Sequence, residues 1–131
     1  MIVVPDTNVL IAALVAKGLC TEVITHLIRE RSLVTSIALL DELDDKLRAK
    51  FKVTPAVNSF LKLLRQEIRI VEPVVLPRQI CRDADDDVVL GTAVAANADL
   101  IVTGDADLLV LVSYGKTAII TPRQYVERMM S

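Results

Sequence analysis

The chain has 131 residues, 53% of them hydrophobic and 24% charged, with a formal net charge of −2 at pH 7. That length and apolar content suffice for one domain, residues 1–131, with a core that needs neither disulfides nor a structural metal to fold. The slight acidity argues against gripping nucleic acid by bulk positive charge and leaves room only for a local basic rim. No apolar run approaches the roughly 18 residues of a membrane span, and the amino terminus lacks a basic segment followed by a cleavable apolar stretch, so a cytoplasmic protein is expected.

In chain order, short β-branched runs alternate with longer helix-period segments. The predicted strands are Ile2 to Pro5, Leu33 to Thr35, Ile68 to Val71, Leu100 to Thr103 and Ala118 to Ile120, as expected for buried parallel strands. A first helix, capped by Thr7 or Asn8, runs to about Lys17 and stops at Gly18; a second, capped by Thr21, runs to about Arg31. Ser36 caps a third, which carries Leu40, Leu43 and Leu47 at helical spacing and ends in the basic stretch from Lys46 to Lys52. Thr54-Pro55 opens a fourth, Asp83 caps a fifth, and Thr121-Pro122 opens a short last one. Strands alternating with helices predict an α/β fold, a three-layer α/β/α sandwich around a parallel sheet of about five strands.

Cys20 and Cys81 are far apart and lack any zinc-ligand spacing, so buried free thiols are expected. His26, the single histidine, sits among Val23, Ile24, Leu27 and Ile28 and reads as structural, which leaves no two-histidine or Ser-His-Asp chemistry. The four glycines form neither a dinucleotide nor a P-loop motif, and 3% aromatic content offers no base-stacking platform.

The acids are more specific. Two apolar runs end on aspartates, Asp6 and Asp105, at the carboxyl ends of predicted strands, where open α/β sheets place their sites. Asp83, Asp85, Asp86 and Asp87 crowd one helix start, and capping accounts for Asp83 and Asp85. Asp87 shares a stripe with Leu90, Gly91 and Val94 and is expected to face the sheet, meeting Asp6 and Asp105. Like charges about 4 Å apart cost about 1 kcal/mol in water and about 4 at an effective dielectric near 20. Such a cluster calls for protonation or a cation, and carboxylate oxygens suit Mg²⁺ or Mn²⁺. Phosphodiester chemistry is the natural use.

Four motifs in this order, Asp6-Thr7-Asn8-Val9-Leu10, Leu39-Leu40-Asp41-Glu42-Leu43, Asp83-Ala84-Asp85-Asp86-Asp87 and Val102-Thr103-Gly104-Asp105-Ala106-Asp107-Leu108, resemble the PIN domain over essentially the whole chain. The resemblance extends to bacterial and archaeal PIN proteins described as toxins of toxin-antitoxin pairs. It implies strand order 3-2-1-4-5 and a metal-dependent endoribonuclease in which Asp6, Glu42, Asp87 and Asp105 hold Mg²⁺ or Mn²⁺ and a water attacks the RNA phosphodiester, leaving a 5′-phosphate and a 3′-hydroxyl. Asp86 and Asp87 both resemble the third acid, and counting back from the Thr-Gly-Asp turn favours Asp87. Asn8, Ser36, Thr103 and Asp107 are accessory candidates, and Lys46, Arg48, Lys50, Lys52, Arg78 and Arg82 are candidates for an RNA rim. Glu42 also has an ordinary reading, an exposed pair with Lys46 four residues on. Pro5, where the family usually has an aliphatic residue, removes a ladder N–H beside Asp6. The partners implied are RNA, a small antitoxin over the acidic cleft and a second copy of the chain. The rival readings are a PIN-fold binding or interaction module without turnover and a small-phosphoester hydrolase using the same metals. Asn8 stands where a phosphoaspartyl enzyme would carry its second Asp.

Overall fold

The computed structural model describes residues 1–130. Its elements are β1 (Val3–Pro5), α1 (Thr7–Val15), α2 (Leu19–Arg29), β2 (Val34–Ser36), α3 (Ile37–Lys50), α4 (Pro55–Glu67), β3 (Arg69–Val71), a 3₁₀ turn (Ala84–Asp86), α5 (Asp87–Ala96), β4 (Leu100–Val102), α6 (Ala106–Leu109), β5 (Ser113–Tyr114), β6 (Thr117–Ile120) and α7 (Pro122–Met129). β1, β4, β6 and β5 form one four-stranded sheet in that order, parallel except for β5, and β2 pairs in parallel with β3. A single parallel bridge, Val3 to Leu33, joins β1 to the β2–β3 pair. Across that bridge the spatial order is β3-β2-β1-β4-β6-β5, so the five expected strands stand as expected. The extra strand is a two-residue hairpin partner of β6, too short to leave an alternating pattern, turned by Gly115 at φ +58°, a conformation free of strain only for glycine.

Alternation along the strands supplies both faces of the sheet. Val3, Leu100, Val102 and Ile120 pack with α1, α2, α3, α4 and α7, whereas Val4, Val34, Ile101 and Ile119 pack with α5 and α6. Helix α3 buries Leu40, Leu43 and Leu47 on one stripe, each stabilising by about 1.5–3 kcal/mol. That packing holds the neighbouring face, with Glu42 and Lys46, beside the ends of β1 and β4.

Local signals explain most boundaries. Ser36 accepts the Leu39 amide, Thr54 the Val57 amide, and Thr121 with Gln124 forms a full capping box. Three starts differ from expectation. Asp83 caps the 3₁₀ turn, accepting the Asp85 amide, and Asp86 precedes α5. Asp6 precedes α1, with Thr7 fully buried as its first residue. Helix α2 begins at Leu19, and Thr21 instead donates its hydroxyl to the Ala13 and Ala16 carbonyls, which tie down the end of α1. Among the described residues no single helix is long and apolar enough to cross a membrane.

Candidate metal centre

Strands β1 and β4 end side by side, paired Pro5 to Val102, and the Asp6 amide donates to the Val102 carbonyl at 2.9 Å. The Thr103 hydroxyl donates to Asp6 Oδ2 at 2.8 Å and accepts the Asp105 amide at 3.0 Å, while Asp105 Oδ1 accepts the Asp107 amide at 2.9 Å. The buried Asp6 carboxyl is pushed up by burial, with help from Asp105 and Glu42, against the Thr103 hydroxyl and the Asn8 amide. The side chain of Asn8 is exposed, and its amide acts on Asp6 electrostatically without completing a cap bond.

Asp86 joins Asp105 and Asp107 in the acidic cluster. One oxygen each from Asp86, Asp105 and Asp107 all lie within 4.8 Å of one another. Burial and the neighbouring Asp105 carboxyl push Asp86 up to about 7, with smaller contributions from Asp83 and Asp6. Asp87, which its register suggested would meet Asp6 and Asp105, is not among the acids whose oxygens converge. Its carboxylate accepts the Ile80 amide at 2.9 Å and the Cys81 amide at 2.7 Å. Burial opposes its charge, but those two amides hold it below the usual carboxylate range. The cause of the difference is the segment 72–83, which lies over the Asp87–Gly91 stripe. The Val74 amide donates to the Gly91 carbonyl at 3.0 Å, and a Cβ on Gly91 would collide with the Val74 carbonyl oxygen.

Two cations lean into the acids. Lys46 Nζ pairs with Glu42 Oε1 at 2.8 Å, and Glu42 Oε2 accepts a long hydrogen bond, 3.4 Å, from the Thr7 hydroxyl. The bond to Glu42 raises the Lys46 pKa, partial burial opposes that, and Asp6 and Asp86 add to it. Arg82 Nη2 pairs with Asp107 Oδ1 at 2.7 Å. Lys46 and Arg82 are therefore engaged with acids, and Arg48 with Asp44 at 3.1 Å, whereas Arg78, Lys50 and Lys52 are exposed. A cleft of about 360 Å³, lined by Ala38, Glu42, Lys46, Asp85 and Val88, opens between α3 and the 3₁₀ turn. A larger cavity, about 550 Å³, lies under Leu33 and Ile68 at the opposite ends of β2 and β3.

Ser36 does not join the acids. Its buried hydroxyl caps α3 and lies 3.0 Å from the Thr92 hydroxyl, linking α3 to α5. His26 Nδ1 lies 2.8 Å from the Tyr125 hydroxyl and joins α2 to α7. Thr7 is the contact that sequence reasoning missed, because a residue after a strand-ending acid reads as a helix cap. In the Asp6-Thr7-Asn8 motif Asp6 and Thr7 are both buried and Asn8 alone is exposed, a division that the residue types do not reveal.

All donors gathered here are oxygens, and their negative charge exceeds that of Lys46 and Arg82, so the residues fit a hard divalent cation. A parallel α/β/α sheet delivering carboxylates to the ends of its two adjacent central strands defines the class, an acid-centred α/β domain. The sequence model of the PIN domain matches residues 2–107, and the chain belongs to the PIN-domain family, whose members are in general metal-dependent nucleases. No curated protein matches the chain.

Proposed function

We propose that this protein is a metal-dependent endoribonuclease in which Asp6, Asp86 and Asp105 hold Mg²⁺ or Mn²⁺. The observation that carries the reading is the convergence of Asp86, Asp105 and Asp107 oxygens within 4.8 Å beside the buried Asp6, an excess of negative charge that a cation relieves. Asp86 takes the place that the resemblance gave to Asp87, because Asp87 spends both oxygens on backbone amides.

Thr103 holds Asp6 and the Asp107 amide holds Asp105, each through one carboxylate oxygen, which leaves their remaining lone pairs available to a cation. Arg82 neutralises Asp107 and leaves the outer side of the cluster less repulsive to a phosphodiester. A cation held by Asp6, Asp86 and Asp105 would supply an activated water and charge neutralisation for in-line displacement at phosphorus. Exposed Lys50, Lys52 and Arg78 are suited to contact the RNA backbone. The choice of RNA, the role as toxin of a cytoplasmic toxin-antitoxin pair, the small antitoxin over the cleft and the pairing of two chains rest on the sequence resemblance.

The test incubates purified protein with labelled RNA, single-stranded DNA and a phosphomonoester, with Mg²⁺, Mn²⁺ or chelator. RNA cleavage that needs the metal and disappears in Asp6→Asn and Asp86→Asn is the expected result. Cleavage surviving both substitutions overturns the mechanism, preference for the phosphomonoester overturns the substrate class, and metal binding without cleavage favours a binding module.

A further inference from the structure

Lys46 was expected at an RNA rim, but it lies within the acidic centre. It projects from the same helix as Glu42, one turn on, and its ammonium touches Glu42 Oε1 at 2.8 Å with the side chain only 35% exposed. Glu42 is further occupied by the Thr7 hydroxyl on its other oxygen. The acid that the resemblance makes a metal ligand therefore has both oxygens engaged by its own chain. Asp86 and Asp105 have no direct basic partner among the described ion pairs, although Lys46 acts on Asp86 and Arg82 on Asp105 through space.

We infer that Lys46 is the built-in counter-cation of the centre, holding Glu42 out of metal ligation, so that the chain takes one divalent cation, on the Asp86–Asp105 side. This rests on the metal-dependent reading above and adds to it the number of ions and the residue that sets it. Charge supports it. With all five carboxyls of the centre (Asp6, Glu42, Asp86, Asp105, Asp107) ionised, as a bound cation requires of its ligands, they exceed Lys46 and Arg82 by three negative charges. One divalent cation leaves a single negative charge, whereas a second would make the centre positive. Without Lys46 the excess is four, which two divalent cations balance, and Glu42 is released as a ligand for the second. Lys46 is thus a positioning residue, acting through Glu42.

The experiment counts Mn²⁺ bound per chain, by calorimetric titration and by the electron paramagnetic resonance signal of free Mn²⁺. It compares the unsubstituted protein, Lys46→Arg, Lys46→Met and Lys46→Gln, each with a melting curve to confirm folding. Lys46→Gln keeps a hydrogen-bond donor and removes only the charge, so it serves if the Met variant fails to fold. One ion in the unsubstituted protein and in Lys46→Arg, and two in Lys46→Met or Lys46→Gln, is the expected pattern. Two ions in the unsubstituted protein, or one ion in every variant, overturns the role of Lys46 while leaving the metal centre standing. No Mn²⁺ bound by any of the four overturns the metal-dependent reading itself and the inference with it.

Discussion

Thr103 donates its hydroxyl proton to Asp6 Oδ2 at 2.8 Å from a position with no solvent exposure. Since the Thr103 hydroxyl oxygen itself accepts the Asp105 amide, one side chain aligns the acids of two neighbouring strands. Thr103→Val keeps the shape and removes the donor, leaving the buried Asp6 unpaired at a cost of about 1–3 kcal/mol. Chemical denaturation should show that loss, and Mn²⁺ affinity should fall with it; Thr103→Ser should recover most of both. Unchanged stability in the Val variant would show that Asp6 does not depend on this bond.

Asp86 and Asp87, adjacent in sequence, should respond in opposite ways. Asp86→Asn removes like-charge repulsion from Asp105 and should raise the melting temperature of the metal-free protein while abolishing Mn²⁺ binding. Asp87→Asn weakens the grip on the Ile80 and Cys81 amides and should cost on the order of 1–3 kcal/mol. Two melting curves with and without Mn²⁺ decide this, and the assignment fails if Asp87→Asn is the variant that loses the metal at full stability.

The metal-free protein should lose stability as pH rises from about 4 to neutrality. Folding moves Asp86 from its ordinary 3.8 up to about 7, so across that window the folded chain holds a proton the unfolded chain has released. Asp6 shifts in the same direction. The full Asp86 shift corresponds to about 4 kcal/mol, and solvent screening at this partly exposed carboxyl leaves on the order of 1 kcal/mol. Melting at pH 5 and pH 7.5 in chelator measures the fall, and added Mn²⁺ should reverse it. A melting temperature that instead rises with pH in chelator would remove the evidence for an overcharged centre.

Cys81 should resist alkylation. Its thiol is 4% exposed and burial, with the Asp87 carboxylate beside it, pushes it up to about 12. At pH 8 iodoacetamide should label Cys20, which is half-buried, before Cys81, and Asp87→Asn should speed Cys81 labelling. Mass spectrometry of timed digests reads both rates. Equal labelling of the two thiols in the folded protein would contradict the packing described.

Gly91→Ala inverts the usual helix rule. Alanine ordinarily stabilises a helix interior by roughly 0.5–1 kcal/mol over glycine. Here the new Cβ meets the Val74 carbonyl oxygen, so the segment 72–83 must lift and the variant should lose about 1–3 kcal/mol. A stabilised variant in thermal melts would show that the segment is not seated on α5.

Those last positions mark where the sequence stops being legible. The strands, their order and three caps (Ser36, Thr54, Thr121) follow from local pattern because each depends on residues within a few positions. The strand-ending acids Asp6 and Asp105 follow for the same reason. Which of Asp86 and Asp87 faces the centre depends on what covers the helix, and that cover is supplied by a segment with no periodicity of its own. Gly91 was the available sign: a glycine inside a helix at Asp87 plus four marks a close backbone approach on that stripe, and therefore points Asp87 toward the loop. The pairing of Arg82 with Asp107 is equally nonlocal, spanning 25 positions.

Pro5 has a consequence that concerns mechanics more than chemistry. The Val3 amide, two residues earlier on the same side of β1, donates to the Ser32 carbonyl at 2.9 Å, and the next donor on that side would belong to Pro5, which has none. The ladder between β1 and β2 therefore ends after one rung, while β1 and β4 stay zipped through Asp6. The two halves of the sheet are stitched at the end remote from the acids and unstitched beside them. The gap between Asp6 on one half and Glu42 on the helix that follows the other is set by side chains such as Thr7, and is open to adjustment by what enters it.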